Sequence, residues 1–341
     1  MGGKVIFSRK PKSTLEEIFD RKEEIEQLRF LLRNHEWAII LGPRMAGKTS
    51  LALAVSNSVG RRVVYVDLMG VKGARDLVGR VYFSMPRGFL DRIRENLELI
   101  GVRIGPTSLE FRVRPTVALE TMMRSICEET IVILDEAQEL RYGLNHFVAI
   151  LHNLLNSCPT LSIIFTGSAI GLMRTLLNQK GRQPLAGRRP TEIVLKPWEE
   201  EIARRYLSEG LEGCGVKPKA DEVAQVIREM GTLVGWLNIY GVNRCTRPHD
   251  HEGALRDAIE EAIGIALGEL KSASEGSGWR IGALKLMYSG ATWTDLLSRT
   301  QVSTETLSNF LNRLEGLFIL RKEERNYLIQ DPIYRRAVMR L

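Results

Sequence analysis

The 341-residue sequence is poor in cysteine and histidine, with four Cys and five His. Cys127, Cys158, Cys214 and Cys245 are far apart, form no Cys-x-x-Cys pair and have no neighbouring His cluster. This spacing argues against both a disulfide framework and a zinc site. We therefore expect reduced, mostly buried thiols.

Long apolar runs are also missing. No stretch of about 18 uninterrupted apolar residues is present, which argues against a membrane-spanning helix. Residues 1–10 are charged and lack the apolar run of a signal peptide, so we expect a cytoplasmic protein. The composition is that of a globular protein, and the length predicts two or three folding units. A formal net charge of +7 favours polyanionic partners without identifying one.

Short apolar runs predict an α/β fold. They occur at residues 37–41, 63–66, 131–134, 161–165 and 192–195. Continuous apolar strands separated by helical sequence indicate a parallel sheet covered by helices on both faces. Residues 15–33 have the periodicity of one amphipathic helix. Residues 71–116 are irregular, and the sequence assigns them no structure.

After Pro197 the pattern becomes helical. We expect an α/β core at residues 1–197, a small helical lid at 198–273 and a final compact unit at 279–341. A Ser/Gly-rich stretch at 272–278 is typical of a linker or exposed turn.

The strongest motif is the octet from Gly42 to Thr49, which follows the first apolar run and precedes a predicted helix. It matches Gly-x-x-x-x-Gly-Lys-[Ser/Thr], the P-loop that wraps a triphosphate with backbone N–H groups and a helix N-terminus. Lys48 is expected to reach the β/γ-phosphates and Thr49 to ligate Mg²⁺. The predicted phosphate-binding residues are Gly42, Pro43, Arg44, Met45, Ala46, Gly47, Lys48, Thr49 and Ser50.

A second motif places two carboxylates after the apolar run 131–134. Asp135 is expected to hold Mg²⁺ through a water molecule, and Glu136 to orient and polarise the attacking water. A surface turn at a strand end is the alternative interpretation of Asp135 and Glu136.

Together these motifs resemble the additional-strand P-loop ATPases, in particular the archaeal ATPase family related to AAA+ and STAND proteins. The resemblance covers roughly residues 15–336. It implies a P-loop NTPase core, a helical lid and a C-terminal winged helix. It also implies ATP, rather than another triphosphate, as the substrate and Mg²⁺ as the cofactor.

Further positions match the family more weakly. Phe19-Asp-Arg21-x-x-Glu24 resembles a box that lies near the adenine, although a salt-bridged helix start is an alternative. Thr166 resembles a residue that senses the γ-phosphate or the attacking water, with a plain strand-to-helix turn as the alternative. Arg188 is the first candidate, and Arg189 the second, for an arginine that contacts the γ-phosphate in the family. A surface arginine pair is the alternative interpretation.

The lid departs from the family pattern. Gly231-Thr-Leu-Val-Gly235-Trp236 resembles the Gly-x-Pro motif, but Val234 stands where proline is expected. Arg244 is the candidate for the sensor arginine of AAA+ machines.

Residues 279–341 follow the order of a winged helix: three helices and a hairpin. Ser303 is an expected N-cap of the third helix. The residues expected to contact double-stranded DNA are Asn309, Arg313 and Arg321. A packing or protein-interaction module, with a solvated basic surface, is the alternative.

The expected function is Mg²⁺-dependent ATP hydrolysis that switches the lid and the winged helix, in a DNA transaction. The alternative is a STAND-like signalling switch, which turns ATP over slowly and acts through a protein partner. The expected ligands are ATP and ADP, and no membrane association is expected.

Overall fold

The computed structural model describes residues 7–141, 144–167 and 190–341, in two compact units. One unit contains residues 7–11, 42–47 and 195–341, and it is called the lid unit here because it includes the residues expected to form a lid. The sheet unit contains the described residues of 12–41 and 48–194. Within these described ranges, no helix combines the length and apolarity needed to cross a bilayer.

The described strands, in chain order, are β1 (Ala38–Leu41), β2 (Arg62–Asp67), β3 (Val102–Ile104), β4 (Leu109–Phe111), β5 (Thr130–Asp135), β6 (Ser162–Gly167), β7 (Thr191–Val194), β8 (Ala291–Thr292), β9 (Leu320–Glu323) and β10 (Asn326–Ile329).

The described α-helices are α1 (Lys22–Arg33), α2 (Lys48–Ser58), α3 (Ala74–Phe83), α4 (Arg87–Leu99), α5 (Pro115–Ser125), α6 (Leu144–Ser157), α7 (Glu200–Gly213), α8 (Ala220–Met230), α9 (Val234–Thr246), α10 (His251–Ser274), α11 (Gly278–Met287), α12 (Trp293–Thr300), α13 (Thr304–Gly316) and α14 (Pro332–Val338). Short 3-10 helices span Leu15–Glu17 and Ala137–Arg141.

The sheet unit is built on a five-stranded parallel sheet with the strand order β2-β5-β6-β1-β7. Every residue of β1, β5 and β6 is buried, as expected for central strands covered on both faces. The predicted α/β fold with a parallel sheet is confirmed. Because the strands are parallel, the residues that end β1, β5 and β6 lie at one edge of the sheet.

Two local predictions are only partly correct. Residues 15–33 do not form one helix, because Asp20 and Arg21 adopt left-handed backbone conformations (φ 61° and 65°) and α1 begins at Lys22. The stretch at 272–278 contains the predicted exposed turn, at Glu275 and Gly276, but its first residues are helical because α10 continues to Ser274.

Residues 71–116, called the insert below, have regular structure that the sequence did not reveal. The insert contains α3, α4 and an antiparallel hairpin made of β3 and β4. Ile93 and Leu97, one turn apart on α4, are fully buried. The apolar face of each short helix therefore packs inside the sheet unit.

The lid unit contains the helices α7 to α10 and a C-terminal part with four further helices, α11 to α14. There β8, β10 and β9 form a small antiparallel sheet in the order β8-β10-β9. Ser303 caps α13, because its Oγ accepts the N–H of Thr306 at 3.2 Å. The predicted N-cap is confirmed.

The expectation of free thiols is also wrong. Cys127 is bonded to Cys158 in the sheet unit, and Cys214 is bonded to Cys245 in the lid unit. The Cα atoms of the two pairs are 5.1 and 5.8 Å apart, within the usual range for disulfides. In each pair the two cysteines are 31 residues apart along the chain, so their spacing in the sequence did not indicate the pairing.

Candidate nucleotide site

The P-loop sequence contributes to both units, so each part is described within its own unit. In the sheet unit, α2 starts at Lys48 directly after β1 and the loop. Thr49, in the first turn of α2, donates its hydroxyl to Asp135 at the end of β5. The Thr49 Oγ1 atom lies 2.9 Å from Asp135 Oδ2 and 3.1 Å from Oδ1. The fold thus brings together the two predicted Mg²⁺ ligands, 86 residues apart in sequence.

Two further hydroxyls converge on Asp135. Tyr65, from the neighbouring strand β2, donates its OH to Asp135 Oδ2 at 2.7 Å. Thr166, at the end of β6, donates to Asp135 Oδ1. Burial first, and then the hydrogen bond to the Asp135 carboxylate, raise the pKa of Tyr65 well above its ordinary value. Tyr65 therefore stays a neutral donor at physiological pH.

Glu136 lies directly beyond Asp135, where the chain leaves the sheet with a left-handed backbone (φ 55°). Its N–H donates to Thr166 Oγ1 at 3.3 Å, which ties Glu136 to the end of the adjacent strand. The amide nitrogen of Gln138 donates to Glu136 Oε2. The buried Gln138 Oε1 has no hydrogen-bond partner in the described part of the chain, so it is able to accept one from water.

In the lid unit, the loop residues Gly42–Gly47 pack against the beginning of α9. Gly42 has a positive φ of 154°, and a Cβ atom built on it would lie 2.6 Å from the carbonyl oxygen of Leu195. The carbonyl of Met45 accepts the N–H of Gly235 at 2.8 Å. A Cβ atom on Gly235 would lie 2.6 Å from the Met45 Cβ, so only glycine fits there. The Gly-x-Pro-like segment thus contacts the loop through Gly235.

The residue after Gly235 continues inward from this contact. Trp236 is fully buried, and its indole Nε1–H donates to Asp331 Oδ2 at 3.2 Å. The Trp236 ring also packs edge-on against Tyr334 of α14, whose OH donates to Glu269. Burial, and then the charge of Glu269, raise the pKa of Tyr334, whereas the charge of Arg44 in the loop acts in the opposite direction. These contacts connect the loop, the lid and the last helix.

The remaining predicted site residues have the following places. Arg21 forms an ion pair with Glu24 at 3.0 Å. Ser50 Oγ accepts the N–H of Lys12 at 3.1 Å. Arg188 and Arg189 lie outside the described residues. Arg244 is a buried partner of Glu222 at 2.8 Å, so its guanidinium is engaged within the lid unit.

The predicted nucleic-acid residues are all in the C-terminal part of the lid unit. Asn309 is exposed on α13. Arg313 contacts the Glu275 carboxylate and donates to the carbonyl of Ser272 at 3.1 Å. Arg321 donates to Gln330 Oε1 at 3.2 Å. Both arginines already have partners within the unit.

The geometry of the P-loop and of Asp135 agrees with the comparisons to known proteins. Residues 18–238 match the family model of an ATPase domain found predominantly in Archaea. The chain belongs to this family. As a member of this archaeal ATPase family, it is an ATPase that binds ATP.

Solved structures of similar fold support the same architecture. The Walker-type ATPase PABY2304 of Pyrococcus abyssi is 23% identical with a TM-score of 0.81, and the match covers 98% of this chain and 99% of that one. The ORC1 protein of Aeropyrum pernix, solved in complex with DNA, is 16% identical with a TM-score of 0.51, and the match covers 95% and 92%. At these identities the likeness to both structures shows only the fold of this ATPase.

A curated relative is much longer. A Lon protease of Solibacter usitatus is 27% identical in an alignment of 158 residues, and the match covers 42% of this chain and 19% of the protease. The ATPase chain thus spans about a fifth of the length of the curated relative that it matches.

Sequence reasoning missed two residues of the sheet-unit site, Tyr65 and Gln138. Tyr65 is the next-to-last residue of the apolar run 63–66, and only the sheet order places it beside Asp135. Gln138 lies two residues after Glu136, which is the one signal that pointed to it.

Proposed function

We propose that this ATPase hydrolyses ATP with Mg²⁺ and passes the nucleotide state from its P-loop to its C-terminal helices, in a transaction on nucleic acid. The hydroxyl-and-carboxylate cluster of Thr49, Asp135 and Thr166 is the observation that carries the catalytic part of this proposal.

The donor atoms of this cluster fit Mg²⁺. This ion prefers oxygen ligands and usually takes only one or two carboxylates from the protein, with the rest from water and phosphate. Thr49 Oγ1 and the Asp135 carboxylate are such donors and already lie within hydrogen-bond distance. The described residues contain no group of three or more acidic, His or Cys side chains able to form an all-protein metal cage. Bound Mg²⁺ would neutralise phosphate charge.

The protein's own groups would do the rest. Lys48 would bind the β/γ-phosphates, and Glu136 would orient and polarise the water that attacks the γ-phosphate in line. Gln138 holds one carboxylate oxygen of Glu136, which limits the orientations of that side chain. Thr166 bridges Asp135 and the Glu136 backbone, which supports its proposed role in sensing the γ-phosphate.

Coupling to the C-terminal part is supported by contacts within the lid unit. The loop carbonyl of Met45 is bonded to Gly235, and the adjacent Trp236 is bonded to Asp331 just before α14. A change in loop conformation on ATP binding would therefore be felt at Asp331. Residues 278–329, with three helices and a hairpin, would act as a winged helix and change position with the nucleotide.

The nucleic-acid part is supported by the net charge of +7 and by the likeness to a protein solved with DNA. One observation favours the STAND-like alternative with a protein partner. Arg313 and Arg321, the predicted DNA contacts, are engaged inside the unit. Slow turnover and ADP retained through purification would support this alternative, whereas stimulation of the ATPase by nucleic acid would contradict it.

The decisive experiment on catalysis compares Glu136→Gln with Glu139→Gln. Glu136→Gln should still bind ATP but should lower the hydrolysis rate by about 10²-fold to 10⁴-fold, the usual contribution of a base-like group. Glu139 lies one residue beyond Gln138 in the same 3-10 helix, and its substitution serves as a matched control with near-normal turnover. Single-turnover hydrolysis and fluorescent-nucleotide binding would measure both steps. Normal turnover in Glu136→Gln would disprove the catalytic assignment.

A further inference from the structure

The insert contains a groove that the nucleotide site does not use. One wall is a face of α3 and the other is the turn of the β3–β4 hairpin together with β4, and its volume is about 460 Å³. This volume is within the range of small-ligand pockets, about 300–1,000 Å³. We call it the insert groove; its principal lining residues are Arg75, Gly79, Arg80, Phe83, Ser108 and Phe111. Both walls belong to the sheet unit.

The surroundings of the insert groove are basic. The insert has nine basic and five acidic residues, so its 46 residues carry more than half of the net charge of +7. The exposed side chains of Arg75, Arg103 and Arg112 have no carboxylate within 4.0 Å in the part of the chain that the structure describes. Arg80 donates to the carbonyl of Met69 at 3.2 Å, which leaves its charge uncompensated.

Acidic residues cancel only part of this charge at the groove, because the lining has Asp76 beside two arginines, Arg75 and Arg80. Asp76, in the same wall as Arg75, accepts a hydrogen bond from the N–H of Lys72 at 3.1 Å. Glu110 lies opposite Arg103 in the hairpin register, but the two side chains form no ion pair. The arginines of the groove therefore remain available to an anion.

The insert groove also offers aromatic surface to solvent. Phe83 is 49% exposed, although its neighbours Val81 and Tyr82 on α3 are buried. Phe111 lines the opposite wall from β4. Between them, Gly79 leaves open space, since a Cβ atom there would meet no heavy atom within 4 Å. A glycine inside a helix costs about 1 kcal/mol relative to alanine, so the open groove is not explained by helix stability.

We propose that the insert groove binds single-stranded nucleic acid. Bases would stack on Phe83 and Phe111, and the phosphates would contact Arg75 and Arg80. This proposal rests on the proposed action of the ATPase on nucleic acid and adds a location and a strand type. Cationic side chains that follow the backbone, combined with aromatic rings for the bases, are the general means of binding single strands.

A single strand explains the aromatic surface better than the other anionic partners do. A duplex stacks its base faces inside the helix, so an exposed phenylalanine would find no partner there. An acidic peptide would use the arginines, but it needs no exposed flat ring in the lining of the groove. The pairing of Arg75 and Arg80 with Phe83 on one side of α3 therefore favours unpaired bases.

The test uses the full chain and a fluorescent oligothymidylate of about 12 nucleotides, in about 50 mM salt to limit screening, with anisotropy as the readout. Arg75→Glu/Arg80→Glu should weaken binding by at least about 30-fold, because two phosphate contacts become repulsive. Phe83→Ala should weaken it about tenfold through lost stacking. Gly79→Gln should obstruct the groove without a clash at its Cβ and weaken binding similarly.

Matched controls lie elsewhere on the surface. Lys217→Glu/Lys219→Glu makes the same change in net charge at exposed positions of the lid unit. Phe30→Ala removes a phenylalanine that is 67% exposed on α1. Both should leave the affinity within about twofold of the original. Circular dichroism and the basal ATPase rate verify that each variant is folded.

The outcomes separate this proposal from the proposed function. If the unchanged protein binds the oligonucleotide but the groove variants bind equally well, the groove assignment is wrong and the nucleic-acid function stands. If the unchanged protein binds neither the single strand nor its duplex, both proposals fail. Tighter binding of the duplex, or equal competition by an acidic peptide that contains phenylalanine, would also overturn the single-strand proposal.

Discussion

Three arginines of the lid unit and two of the insert differ in their surroundings. In the lid unit, Arg244, Arg313 and Arg340 each contact a glutamate. In the insert, Arg75 and Arg103 have no carboxylate within 4.0 Å among the described residues. A net charge counted from sequence treats these two groups alike, yet only the second group has charge that is free for a partner. The structure, rather than the composition, indicates which of these arginines are available to a polyanion.

The largest expected effect concerns stability. Arg244→Met should lower the free energy of unfolding by about 3–5 kcal/mol, because it leaves Glu222 buried without its cation. The same change at the exposed Arg112 of the insert should alter it by no more than about 0.5 kcal/mol. Urea unfolding followed by circular dichroism would measure both. Similar losses for the two variants would remove the distinction between paired and free arginines.

A second prediction concerns Asp331, an acid of the lid unit bonded to the neutral donors Trp236, Ile333 and Tyr334. Burial raises its pKa from 3.8 to about 6 despite these hydrogen bonds. The folded protein therefore binds more protons than the unfolded chain between these values, and its stability should fall as the pH rises from about 4 to 6. The expected fall is on the order of 2–3 kcal/mol.

Asp331→Asn should lack this fall with pH. Thermal unfolding at a series of pH values, compared between the two proteins, measures the difference in slope. Equal slopes would show that Asp331 is not the titrating group.

The smallest expected effect is on nucleic-acid affinity. The hydrogen bond from Arg313, and then that from Arg280, lower the pKa of Glu275 to about 2, so its carboxylate is charged at neutral pH. Glu275→Gln should release both arginines and tighten oligonucleotide binding by about threefold in low salt. A gain in affinity above tenfold in the same anisotropy assay would indicate that the main nucleic-acid surface lies on the C-terminal helices and not on the insert.

Much of the fold was predictable because the parallel sheet is made of short apolar strands. The run at 131–134 was identified as a strand because β5 is buried along its whole length. The insert was not predictable, because α3 and α4 are short amphipathic helices whose buried faces depend on partners distant in sequence. The break before α1 was missed because Asp20 and Arg21 adopt a left-handed backbone that helical periodicity does not reveal.

The candidate site was predictable where one segment of chain carries the chemistry. The P-loop and the pair Asp135-Glu136 are such segments. Tyr65 and Gln138 are not, since their roles come from a neighbouring strand and a turn. The ion pair of Arg244 was missed for the same reason, because sequence shows its charge but not the buried Glu222 beside it.

The two disulfides affect how the protein behaves during handling. Each one closes a loop across a sequence separation of 31 residues inside a single unit. A cross-link of this span lowers the conformational entropy of the unfolded chain, which raises the free energy of that chain by about 4 kcal/mol. A reducing buffer would therefore widen the unfolded ensemble of both units at once, although no folded contact outside the sulfur atoms needs to change. Preparations made with and without thiols therefore differ in their free energy of unfolding, and stabilities measured on one should not be applied to the other.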